Sequence, residues 1–117
     1  MTRHRTEVSL QQIIDAIDKI EKYLKNLSFD SFASYDMAID AVLKEFEIVG
    51  EAVTRVPDEY KTEHPNIEWH KATGTRNRLI HGYDKINLEI VWATAKDDMP
   101  ILKKQIHELL KSPVDPT

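Results

Sequence analysis

The segment Thr75-Arg76-Asn77-Arg78-Leu79-Ile80-His81-Gly82-Tyr83 brings two guanidiniums, an imidazole and a phenol into one short stretch. An imidazole exchanges protons near neutral pH, and a guanidinium carries a permanent planar charge that matches an anion such as phosphate. Proton transfer by His81 beside anion binding by Arg76 is the chemistry such a stretch could do. Asn77 and His81 are four residues apart, so on a helix they share a face and the Asn77 amide can hold the imidazole in one tautomer. Arg76 and Tyr83 would also align on a continuing helix, but Gly82 is expected to end it and leave Tyr83 on the exit turn. Arg76 and His81 are five apart and diverge by about 140° on a regular helix. A site using both needs a distorted helix end or a second chain. Taken by themselves, these residues are read more simply as a helix end, with His81 complementing the dipole, Gly82 as cap and solvated arginines.

Other chemistry finds little support. The histidines His4, His64, His70, His81 and His107 form neither a His-x3-His pair nor an HExxH motif, and no Gly-rich phosphate loop or nucleophile elbow is present. No cofactor or metal site is expected. The absence of cysteine excludes disulfides and thiolate ligation, and no apolar run is long enough for a signal peptide or a membrane span, so a cytoplasmic protein without membrane contact is expected. The net charge of −4 argues against general polyanion binding, yet it is unevenly spread. From His70 to Lys85, four cations (Lys71, Arg76, Arg78, Lys85) face Asp84 alone, a local +3 that leaves −7 elsewhere.

The elements that must carry this segment read as helices. Leu10, Ile13, Ile14, Ile17, Ile20, Leu24 and Leu27 recur at steps of three and four, one apolar helix stripe, after a polar start over residues 1–6 that is expected to be flexible. Asn26 to Ser34 reads as a break with Asp30, Ser31 or Ser34 as possible N-caps. A long second helix follows, with Ala38, Ala41, Val42, Phe46, Val49, Val53 and Val56 on its main stripe. Ile39, Leu43 and Ile48 lie off that stripe, so this helix is either central or shares a face with a partner chain. Pro57 stops it and can open a short helix that His64-Pro65-Asn66 ends. The next helix is expected from Glu68 or Trp69 to about His81, although Gly74 weakens it by about 1 kcal/mol relative to Ala. Asn87 is a possible N-cap for a last seam of Leu88, Trp92, Ala95, Met99, Leu102, Ile106 and Leu109, with a kink or a junction of two helices at Pro100. Residues 112–117 are expected to be flexible. Trp69 and Trp92 are expected as core or interface anchors rather than as platforms for bases. The whole reads as one all-α domain over residues 1–117, a bundle of four to five helices.

Arg76 to Tyr83 resembles the R-x4-6-H motif of HEPN domains in its R-x4-H-x-Y form. Phe46-Glu47-Ile48-Val49-Gly50-Glu51-Ala52, His64-Pro65-Asn66-Ile67-Glu68-Trp69, Ile90-Val91-Trp92 and Asp98-Met99-Pro100-Ile101-Leu102 are similar, in order, to landmarks of HepT-like proteins. The likeness spans about Leu10 to Leu110, and an ordered series of landmarks is far more specific than one short motif. Thr73-Gly74-Thr75 departs from it where a bulkier apolar residue is usual, as does Glu68 where a Pro is common.

The resemblance implies a HEPN-type helical homodimer whose two motifs meet in a cleft, which would answer the divergence of Arg76 and His81. It also implies the toxin of a toxin–antitoxin pair, an endoribonuclease that needs no metal, neutralised by an MNT-type nucleotidyltransferase through binding or AMP transfer to Tyr83. In that setting His81 is the general acid or base, Arg76 the phosphate clamp, Asn77 the residue orienting His81, and Tyr83 a phosphate-positioning group and AMP acceptor. Arg78 and Lys71 are candidates for RNA backbone contacts. Glu51 matches a family position without an evident physical role. The rival expectation is a non-catalytic helical module that binds and regulates the partner nucleotidyltransferase.

Overall fold

The structure, a computed structural model, describes residues 2–79 and 86–111, with side chains for 4–74 and 86–111. Among these residues every regular element is helical. The first helix, α1 (Thr2–Leu24), begins earlier than its apolar stripe alone indicates and already buries Thr6 and Ser9. Leu10, Ile13, Ile14, Ile17, Ile20 and Leu24 are all buried, as their spacing predicts. Asn26 then takes a left-handed φ of 67°, and the Leu27 N–H bonds the Leu24 carbonyl at 3.0 Å, which turns the chain out of the helix.

The stretch expected as a plain break contains a short helix, α2 (Phe29–Ala33). Its N-cap is Ser28, whose Oγ accepts from the Ser31 N–H at 3.1 Å, and none of Asp30, Ser31 and Ser34 caps the long helix that follows, whose N-cap position is Tyr35. The extra turn has a tertiary cause. It buries Phe32 completely and sets its ring 5.4 Å from that of Trp92.

Helix α3 (Asp36–Arg55) follows Tyr35 without a side-chain cap and occupies the centre of the bundle, packed on α1 along one flank and on α5 along another. That position accounts within one chain for the off-stripe residues, since Ile39 is buried and Leu43 and Ile48 pack partly against the core. Pro57 leads into α4 (Asp58–Glu63), which ends at His64.

Helix α5 (Trp69–Leu79) starts where expected, and residues beyond Leu79 up to 85 lie outside the described set. Tertiary contacts hold it despite Gly74. Trp69 and Ala72 are buried, the Trp69 indole N–H donates to the His64 carbonyl at 3.0 Å, and Trp69 meets the Tyr60 ring edge-on at 6.4 Å. Since Trp69 sits beside α4, past the C-terminus of α3, while Thr73 faces Gly50, α5 runs antiparallel to α3.

Asn87 caps α6 (Leu88–Ala93) as expected, its side chain accepting from the Ile90 N–H at 3.1 Å. Before Pro100 the helix widens into a π turn over Thr94–Asp98, closed by the Met99 N–H on the Thr94 carbonyl, and continues as α7 (Met99–Lys111). A wider turn accommodates a ring that would clash with the carbonyl four residues back and that brings no N–H of its own. The added residue per turn also changes the seam: Ala95, Met99, Leu102 and Ile106 are buried as expected, but Val91 is buried in place of Trp92 and Leu88, which are only half-buried. Lys103 fastens α7 to α1 through Asp18 at 2.7 Å and Glu21 at 2.8 Å.

Candidate functional site

Helix α5 carries the first half of the R-x4-H-x-Y segment, Arg76 to Leu79, so helical register relates these positions to the residues before them. Trp69 and Ala72 are buried, and by helical register alone position 76, at the next step of four, continues their stripe; the side chains of 75–79 lie outside the described residues. Arg78 is about 200° further round and belongs to the opposite face. Asn77 lies between the two. The expectations for His81 and Tyr83 fall outside the described residues, and with them the pairing of Asn77 with His81.

Lys71, a candidate RNA contact, is exposed, and its Nζ stands 3.9 Å from Asp98 Oδ2 on the π turn. The fold therefore sets an acid from the far end of the sequence against the segment that reads locally as +3. Lys71 of α5 and Glu68 just before that helix line a shallow groove with Met99, Ile101 and Leu102 of α7, where Ile101 is exposed. Among the described residues, no group of three or more His, Asp or Glu is arranged to hold a metal ion.

Three glutamates of α3 differ sharply in setting. Glu51 is exposed and pairs with Arg55 at 3.5 Å, one turn along the same helix. Glu45 is buried, with no hydrogen-bond partner for Oε1 among the described residues. Glu47 is half-buried and lies on the side of α3 nearer α5. Composition and periodicity flagged neither Glu45 nor Glu47 as special, because a glutamate in a long amphipathic helix reads as a solvated one.

Both tryptophans serve packing. Trp69 is buried with its N–H satisfied, and Trp92 contacts Phe29 and Phe32 while Lys96 covers its ring at 5.3 Å. The Tyr60 ring lies tilted against that of His64, their centres 4.5 Å apart, and burial, reinforced by the nearby charges of Glu63 and Glu7, pushes its phenol above the usual range.

The family described as ribonuclease HepT-like matches residues 13–109, which includes all of α3, α5 and the R-x4-H-x-Y segment. The chain belongs to the HepT-like family. Among curated proteins, this HepT-like chain is 34% identical to the "Probable ribonuclease HepT" of Thermococcus cleftensis, over 87% of this chain and 93% of that one. It is 32% identical to "Putative RNase TTE0752" of Caldanaerobacter subterraneus subsp. tengcongensis, over 87% and 91% of the two chains. A third relative, "Putative RNase MJ1216" of Methanocaldococcus jannaschii, is 30% identical over 95% of this chain and 92% of its own. No solved structure matches.

Proposed function

We propose that this HepT-like chain is an endoribonuclease that cleaves RNA with Arg76 and His81. The observation that carries the reading is the complete R-x4-H-x-Y segment at the end of α5, in a chain whose relatives over nearly their full lengths are named as ribonucleases. RNA supplies its own nucleophile. His81 takes the proton of the 2′-OH as that oxygen attacks the adjacent phosphorus, or delivers a proton to the departing 5′-oxygen; the P–O5′ bond breaks and a 2′,3′-cyclic phosphate remains. Arg76 binds the phosphate oxygens, whose negative charge grows in the pentacoordinate transition state. Asn77 holds the His81 ring, and Tyr83 positions the scissile phosphate.

The site is composite in this reading. A homodimer sets Arg76 of one chain against His81 of the other, which overcomes their divergence of about 140° along a single helix. As the toxin of a toxin–antitoxin pair, the protein is restrained by an MNT-type nucleotidyltransferase, either by direct binding or by modification. In the second case the Tyr83 oxygen attacks the α-phosphorus of ATP, pyrophosphate leaves, and the attached AMP places charge and bulk where RNA must lie.

The deciding experiment incubates purified protein with RNA in EDTA. Cleavage that leaves cyclic phosphate ends, and that stops when the scissile nucleotide is 2′-deoxy, supports the mechanism. Undiminished cleavage of the deoxy substrate overturns it. The second reading, a non-catalytic regulator of the nucleotidyltransferase, draws on the acidic balance of the chain and the pairing of Lys71 with Asp98. It requires tight complex formation by protein that never cuts RNA.

A further inference from the structure

Helices α3 and α5 run antiparallel and meet where Gly50 faces the carbonyls of Ala72 and Thr73. Three residues back along α3 and three forward along α5 advance by the same distance, about 4.5 Å, in the same direction. That step brings Glu47 level with Arg76. The faces agree as well as the heights. Glu47 lies about 60° around α3 from the Gly50 direction, within reach of α5, whereas Glu45 is about 140° away on the other side. Glu51 is exposed and already paired with Arg55. On α5, Arg76 continues the face of buried Trp69 and Ala72. A cation on such a face is costly unless a carboxylate meets it. Glu47, half-buried, is the α3 glutamate placed to do so.

We infer that Glu47 is a positioning residue that holds the Arg76 guanidinium in place for phosphate binding, an inference that rests on the reading of Arg76 as phosphate clamp. A carboxylate can engage two of the five N–H donors of a guanidinium and leave the remaining edge for a phosphate oxygen. Glu47 touches no substrate. It restricts the rotamers of a long side chain, so that Arg76 meets the transition state without being ordered at that moment.

The test combines side-chain NMR with kinetics on the full chain. In ¹⁵N-labelled protein the Arg76 Nε–H, assigned by its loss in Arg76→Lys, should exchange slowly with water. Glu47→Gln should speed that exchange and lower kcat by up to about a hundredfold, with KM for a short RNA little changed, while Glu47→Asp restores part of both. Arg76→Ala with Glu47→Gln should be no slower than Arg76→Ala alone. An Arg76 signal unmoved by Glu47→Gln overturns the inference whatever the activity. A signal that moves while cleavage stays at the wild-type rate overturns the positioning role. Should the wild type cleave no RNA, a signal that moves still upholds the pair, and it is the clamp reading of Arg76 that fails. If Glu47→Gln does not fold, the same comparison is made with Glu47→Asp, for which an unmoved signal and an unaltered kcat overturn the inference.

Discussion

Gly50 of α3 approaches Thr73 of α5 so closely that a Cβ added to Gly50 would stand 3.5 Å from the Thr73 carbonyl oxygen. That is ordinary van der Waals contact, so one methyl fits, and a longer side chain has only the α5 backbone to displace. Gly50→Ala should therefore stabilise the fold by up to about 1 kcal/mol through helix propensity. Gly50→Leu should instead force α3 and α5 apart and lower RNA cleavage before it unfolds the chain. Urea midpoints and cleavage rates for the two variants check this.

Glu45 buries Oε1 without a hydrogen-bond partner among the described residues. An unsatisfied buried oxygen costs about 1–3 kcal/mol, and an apolar side chain of similar length avoids it. Glu45→Met should raise the urea midpoint with an unchanged m value. A lower midpoint would mean that the carboxylate has a partner supplied in solution.

Phe32 is fully buried and its ring lies 5.4 Å from that of Trp92. Phe32→Ala should cost about 3–5 kcal/mol as a large-to-small core change. Phe32→Leu should cost less, because much of the volume is kept. Thermal unfolding followed by circular dichroism, with Trp92 fluorescence as a local reporter, separates loss of α2 from loss of the whole bundle.

Lys103 titrates above the ordinary lysine value of 10.5, first because its ammonium donates to Asp18 and Glu21. A group whose pKa is raised by folding contributes stability that is complete below its unfolded value and is lost as pH rises through the folded one. Lys103→Met should lower the unfolding midpoint at pH 7 by a small amount, about 1 kcal/mol or less for so accessible a pair. The gap between variant and wild type should persist to about pH 10.5 and close only at higher pH. A gap that closes near neutrality would contradict the assignment.

Arg76→Lys keeps the charge but loses the planar fork. If Arg76 grips phosphate in two-point fashion, this variant should cleave RNA nearly as poorly as Arg76→Ala, with helix content unchanged. His81→Ala should lose about a hundredfold or more as a proton-transfer group. Wild-type rates in His81→Ala would return the segment to an ordinary helix end.

What the sequence determined by itself is what depends on near neighbours along the chain. The stripe from Leu10 to Leu24, the long helix through Val42 and Val49, the Asn87 cap and the ordered landmarks around Arg76 all arise within a few helical turns, where periodicity and capping act. Tertiary structure decided the rest. No local signal says that Phe32 will find Trp92 and pull a break into the turn of α2, or that a π turn before Pro100 will bury Val91 in place of Trp92. Nor does local charge reveal that Asp98 comes to Lys71, or that Lys103 ties α7 to Asp18 and Glu21 of α1. Those outcomes belong to pairs of segments far apart in sequence. The free energy that selects them, burial of rings and the meeting of charges, exists only once the helices have packed.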